Sequence, residues 1–234
     1  MDATAIQKRL SKLADPQTAS FLQKFFKTGK GEYGEGDLFR GIRVPNLRKL
    51  AEEYQALSLT EAKQLLRSQF HEDRLLALFI LIRLYQRGDD VLKSRIYDLY
   101  LRKTEFINNW DLVDASADQI VGAFLWHKDA TPLRRLAVSS SLWERRIAIM
   151  STFHFIKRGE FNETLRIAEL LLSDKEDLIH KAVGWMLREV GKRDLRVEQD
   201  FLKNHHTRMP RTMLRYAIER FPETLRQKYL KGKT

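Results

Sequence analysis

The chain contains no cysteine, which excludes disulfides, thiolate metal sites and a cysteine nucleophile together. It also lacks any apolar run approaching the roughly 20 residues needed to span a bilayer. Its start, Met1-Asp2-Ala3-Thr4, has neither the basic flank nor the apolar stretch of a secretory signal. The six histidines show no metalloprotease-like spacing, and the adjacent pair His205-His206 would point in different directions on a helix. Neither a metal nor another cofactor is expected, nor a membrane as partner. Sustained apolar-polar alternation is missing as well, which argues against strands.

What the chain does have is helical patterning and positive charge. Asp15-Pro16 and Thr131-Pro132 place a capping residue before a first-turn proline, and Ser58-x-x-Glu61 and Ser141-x-x-Glu144 have capping-box spacing. These signals predict helices beginning near 16, 59, 132 and 142. Apolar residues recur at three- and four-residue steps, as in Leu75, Leu76, Phe79, Ile80 and Ile82, or Ile147, Ile149, Met150 and Phe153, so the fold class is all-α. With 234 residues and 43% apolar content, one elongated domain over 1–234 can bury a core of its own. Lysine and arginine outnumber aspartate and glutamate 42 to 31, a net charge of +11, which favours a polyanion such as nucleic acid or an anionic membrane surface, and charge alone does not choose between them.

The pattern also repeats. Asp73-Arg74-x-x-Ala77 through Arg87-Gly88 aligns without a gap on Glu144-Arg145-x-x-Ala148 through Arg158-Gly159, and Lys181-Ala182-Val183 through Gly191-Lys192 follows as a looser copy. A helical unit of roughly 30–40 residues predicts stacked helix pairs of HEAT or armadillo type, an α-solenoid. Arginines near the starts of the second helices, Arg74, Arg145, Arg146 and Arg211, are then expected to line a concave basic groove. One segment breaks the rhythm: Thr28 to Asp37 carries four of the eleven glycines, which predicts a loop. It resembles neither a P-loop nor a dinucleotide fingerprint, and Val44-Pro45 restarts a helix.

Three segments combine tryptophan with charge: Asn109-Trp110-Asp111-Leu112-Val113-Asp114, Leu142-Trp143-Glu144-Arg145-Arg146, and Lys181-Ala182-Val183-Gly184-Trp185-Met186-Leu187-Arg188-Glu189. Residues four apart share a helix face, so the Trp110 indole lies beside the Asp114 carboxylate, a pairing that suits a positive charge. Together with Phe39-Arg40-Gly41-Ile42-Arg43-Val44-Pro45, these segments resemble, in order and over most of the chain, the signature segments of the AlkD family of DNA alkylation-repair glycosylases. The resemblance implies a HEAT-like fold that excises cationic N3- and N7-alkylated purines, such as 3-methyladenine and 7-methylguanine, from duplex DNA.

By the same resemblance Asp114 matches the catalytic carboxylate, Trp110 and Trp185 the indoles against the lesion's deoxyribose, and Arg146 the arginine at the phosphate. Arg188 matches a further backbone contact, and Arg145, Arg43, Arg48 and Arg211 join it as candidate DNA contacts. Near the start the family can place a tyrosine beside the DNA, where this chain offers Phe25 or Phe26. The implied enzyme is a monofunctional, cytoplasmic hydrolase, nucleoid-associated if bacterial, acting as a monomer. Each residue also has a plain structural reading. Trp185 in an apolar helix suits a core, as do Trp126 and Trp143; Asp111 suits a helix cap; the arginines suit surface ion pairs with Glu144 and Glu189. A noncatalytic relative binding branched or damaged DNA and a scaffold for an acidic protein are the competing functions.

Overall fold

The computed structural model describes residues 2–232 and is all-α: among the described residues, strand-like pairing is limited to one isolated bridge between Leu38 and Phe70. The chain forms two compact units, Met1–Ser116 and Ala117–Thr234.

The first unit contains α1 (Ala3–Lys12), α2 (Pro16–Phe25), α3 (Val44–Glu53), α4 (Leu59–Leu66), α5 (His71–Arg87), α6 (Asp90–Leu101) and α7 (Trp110–Ala117). Helix α5 is buried on every side from His71 to Ile82, with an unbroken apolar run from Leu75 to Ile82, as a helix enclosed by neighbours must be. It packs against α3, α4 and α6. The predicted starts hold: Asp15 caps α2 by accepting from the Thr18 N–H at 2.6 Å, and Ser58 caps α4 through the Glu61 N–H. Glu61 does not close the capping box. Its Oε2 instead accepts from the Ala3 N–H at 2.7 Å, so the same carboxylate satisfies an orphan donor at the start of α1.

The second unit opens with a π-helical turn, Asp118–Gly122, and continues through α8 (Ala123–Leu125), α9 (Thr131–Ala137), α10 (Leu142–Ser151), α11 (Phe153–Ile156), α12 (Asn162–Leu170), α13 (Asp177–Gly191), α14 (Leu195–His205), α15 (Arg211–Ala217) and α16 (Glu223–Leu230). Its central helix is α13, packed by α10, α12, α14 and α15. The helix predicted to begin near 132 begins at Thr131, with Ala130 in the cap position and no side-chain cap; the Thr131 N–H donates to Asp129 Oδ1 at 2.9 Å.

The internal repeat is built in atomic detail. The residues preceding α5, α10 and α13 are Phe70, Ser141 and Glu176. In each, the backbone N–H donates to a side-chain oxygen two residues back, on Ser68, Ser139 and Asp174 respectively. The fourth residue of each helix, Arg74, Arg145 or His180, then reaches back to the main-chain carbonyl of that same residue at 3.1, 3.0 and 2.6 Å. One helix-start device thus recurs at one or two multiples of roughly 35 residues, the period of stacked helix pairs.

Candidate functional site

The segment from 26 to 43 is the longest connector of the first unit, and it does more than join helices. A Cβ on Gly34 would lie 2.5 Å from the Phe26 carbonyl oxygen and 3.3 Å from Asn109 Nδ2, so only glycine lets the loop close against the start of α7. Gly41, at φ +83, passes so near α2 that a Cβ would meet the Asp15 carbonyl oxygen at 2.1 Å. Between these points the loop delivers Asp37 and Arg40 into the interior.

Asp37 and Arg40 enter two buried ionic clusters at the start of α5. Arg40 forms a two-point pair with Asp73, Nε to Oδ1 at 2.6 Å and Nη2 to Oδ2 at 3.0 Å, and its Nη1 donates to Ser11 Oγ of α1 at 2.7 Å. Neighbouring Glu72 accepts from the main-chain N–H groups of Arg40, Gly41 and Ile42. In the second cluster the His71 ring lies between two carboxylates: Nδ1 is 2.9 Å from Asp37 Oδ2 and Nε2 is 2.8 Å from Asp111 Oδ2. Arg74 pairs with the other oxygen of Asp37.

Burial alone would push His71 down, but Asp111 and Asp37 outweigh it and raise the imidazole from 6.5 to about 9. Burial likewise pushes Asp37 up, and His71 with Arg74 reverses it, leaving the carboxyl below 3.8. Because the folded value of His71 exceeds its unfolded one, its contribution is fully present below 6.5 and is lost as pH rises through about 9. The opposite sign holds for Asp37, whose contribution is lost as pH falls below the ordinary carboxylate range. Urea unfolding between pH 5 and 10 should therefore show stability declining on the alkaline side, from above 6.5 to about 9. That limb should be missing from His71→Gln; its persistence there would assign it to other groups.

Above this cluster the aromatic side chains form a continuous stack. Phe39 lies over the His71 ring at 4.4 Å, Phe26 lies 5.0 Å from the same ring, and Trp110 stacks on Phe26 at 5.2 Å. A cavity of about 650 Å³ opens beside them, lined by Phe21, Phe25, Phe26, Phe39, Val44 and Pro45 among others, with Arg43 and Asp111 in its wall. Helix α2, which forms one side, has no buried residue, and Phe25 is 54% exposed while Phe26 is buried. Of the two phenylalanines offered in place of a tyrosine, Phe25 is therefore the one that meets solvent.

Trp110 and Asp114 stand one turn apart on α7 and both are half-buried. At the start of this helix Asn109 Oδ1 accepts from the Trp110 N–H at 2.8 Å, and Asp111 serves twice, its Oδ1 accepting from the first-turn Leu112 N–H at 2.9 Å while its Oδ2 holds His71. In the second unit Trp185 is half-buried rather than core, its Nε1–H donating to Glu189 at 3.2 Å and its ring 6.2 Å from Phe153. Arg146 is buried, with Nη1 on the Leu178 carbonyl. Arg145 pairs with Asp174 at 2.6 Å, Arg188 with Glu219, and exposed Arg211 donates to the Leu230 carbonyl. Arg43 and Arg48 are exposed, and Arg48 lies 4.4 Å over the Phe79 ring.

Several sequence expectations are corrected. Arg74 does not line a surface; it is buried beneath the loop because Asp37 draws it inward. Glu144 accepts from Ser139, and Glu189 pairs with Lys192 and with Arg193, an arginine outside the expected row. Trp126 and Trp143 are half-buried instead of core. Trp126 follows the last residue of α8, where the chain leaves the helix, and its ring lies under Arg158 at 4.5 Å. Histidine spacing, which tests for metal ligands, gives no sign of the His71 clamp, whose partners lie far away along the chain. Among the described residues no group of three or more acidic or histidine side chains is disposed to hold a metal, and no helix is long and apolar enough to cross a membrane.

The family described as DNA alkylation repair enzyme matches residues 6–221. Two solved structures are similar in fold. A protein described as a predicted DNA alkylation repair enzyme from Enterococcus faecalis superposes with a TM-score of 0.69 at 18% identity, covering 90% of this chain and 97% of that one. AlkD2 from Streptococcus mutans superposes with a TM-score of 0.55 at 19% identity, over 87% of this chain and 97% of that one. No curated protein matches the sequence.

Proposed function

The chain belongs to the DNA alkylation repair enzyme family, and from that premise we propose that it is a monofunctional glycosylase acting on cationic N3- and N7-alkylated purines in duplex DNA. The observation that carries the reading is the pair on α7: Trp110 and Asp114 stand one turn apart and each is only half-buried. A carboxylate and an indole so placed offer negative potential to one developing cation.

The chemistry needs little more. Alkylation at N7 or N3 gives the purine a positive charge, so cleavage of the C1′–N9 bond releases a neutral base that carries away the bonding electrons. No general acid is required. The sugar is left with oxocarbenium character, water adds to C1′, and its proton passes to the carboxylate or to solvent. Asp114 stabilises the cation and orients that water, and Trp110 packs against the deoxyribose, a cation–π contact worth about 0.5–2 kcal/mol. In the second unit Trp185 is the matching candidate for the sugar and Arg146 for the phosphate, Arg146 exchanging the Leu178 carbonyl for it. Arg188, Arg145, Arg43, Arg48 and Arg211 supply further backbone contacts, and residues 1–234 act as one monomeric repeat domain in the cytoplasm. Arg145 and Arg188 then exchange Asp174 and Glu219 for phosphate, a like-for-like replacement of one charged hydrogen-bond acceptor by another.

The chemistry selects lesions by their charge. The purified chain should release 7-methylguanine from a methylated duplex and leave a uracil-containing duplex intact. Duplex affinity measured alongside should fall with salt at about 0.9 log units per log unit for each phosphate neutralised. Uracil released as fast as 7-methylguanine overturns charge selection. Tight duplex binding with no release moves the assignment to a noncatalytic protein for branched or damaged DNA.

A further inference from the structure

We propose that His71 is a positioning residue for the repair site: clamped between Asp37 of the glycine-rich connector and Asp111 of α7, it fixes the first turn of that helix and with it Trp110 and Asp114. The inference rests on the functional reading above for its catalytic consequence, but its structural part stands on the clamp.

The geometry demands a doubly protonated ring. Both nitrogens sit within hydrogen-bond distance of a carboxylate oxygen, and a carboxylate only accepts. A neutral imidazole has one N–H, so one of the two carboxylates would face a lone pair and the clamp would open on that side. The charged groups around it balance: Asp37 and Asp111 stand against the imidazolium and Arg74. Glu72, on the same helix, is already committed to the Arg40–Ile42 main chain, and Asp73 to Arg40. Arg43 is the further charge in the adjacent cavity wall.

Two routes carry the His71 position to Trp110. One is direct: Asp111 is the next residue along α7, and its carboxylate, 17% exposed, joins the ring on one oxygen to the first-turn Leu112 N–H on the other. The other is through the stack, since Phe26 is within ring-contact distance of both His71 and Trp110. The connector's glycines gain a purpose here, for they allow the tight path that brings Asp37 to Nδ1 while Gly34 closes against Asn109.

The test has a spectroscopic arm and a kinetic arm. In the wild-type chain, nitrogen-15 spectra of the His71 ring should show both nitrogens protonated at pH 7.5, and the Trp110 indole resonance, assigned with Trp110→Phe, should shift as His71 deprotonates near pH 9. In Asp111→Asn, and in His71→Gln if it folds, the Trp110 resonance should sit elsewhere and no longer follow that transition. In the kinetic arm, either variant should lower the single-turnover release of 7-methylguanine by about ten- to a hundredfold, the effect of a small misplacement, with duplex affinity unchanged. The wild-type rate should decline above pH 9 and the variants' rates should not. A folded variant with an unmoved Trp110 resonance overturns the proposal, as does a rate loss matched by lost DNA affinity. Absence of release by the wild-type chain would refute the glycosylase reading instead, and the Trp110 resonance would then decide the clamp by itself.

Discussion

Replacing Asp114 by asparagine should slow release of 7-methylguanine by on the order of a hundred- to a thousandfold, the cost of about 3–4 kcal/mol that follows loss of one preorganised electrostatic group. The substitution changes charge without changing shape. Asp114 is half-buried on α7, and the isosteric amide fits the same space. Duplex binding should persist, because one negative charge is removed from the neighbourhood of phosphates. Single-turnover release at saturating protein, run beside a binding titration, separates these effects. A rate equal to the parent's would remove Asp114 from the reaction, and a rate lost together with binding would make it a structural residue.

The largest effect on stability is expected at Arg40. Its guanidinium is buried with Asp73, which is wholly enclosed, and is stacked 3.8 Å from the Phe70 ring. Truncation to alanine would leave Asp73 a buried charge with Ser68 Oγ as its remaining side-chain donor. Breaking a buried pair in this way costs about 3–5 kcal/mol, whereas replacing both partners by apolar groups is often neutral. Arg40→Ala should therefore lower the unfolding free energy by about that amount in urea titrations at pH 7, and Arg40→Met combined with Asp73→Leu should recover most of it. A double variant as unstable as the single one would show that the stranded charge is not the cause. Since Arg40 also reaches Ser11, loss of the pair should show first as increased amide exchange in α1.

Much of this architecture is legible in local sequence because helix formation and capping are local. Asp15, Ser58 and Ser141 cap the helices whose starts their spacing predicts. The repeat visible in Asp73-Arg74 and Glu144-Arg145 returns as the shared device at the starts of α5, α10 and α13. The direction of side chains is less readable. Arg74 follows an aspartate at the head of a helix buried on all sides, so no stripe of periodicity tells a buried arginine from an exposed one. Phe25 and Phe26 are chemically identical neighbours, yet the chain leaves α2 between them and one turns inward against His71.

Composition and contacts within a few residues are enough to set the helical class, the repeat, the absence of thiol chemistry and the placing of Trp110 and Asp114 one turn apart. The roles of His71, Asp37 and Arg40 belong instead to the packed molecule. His71 draws partners from 34 and 40 positions away, and Arg40 meets Asp73 at a separation of 33. Pairings over such distances leave no periodic trace, because they are selected by the packing of whole helices and by the cost of leaving a charge buried alone.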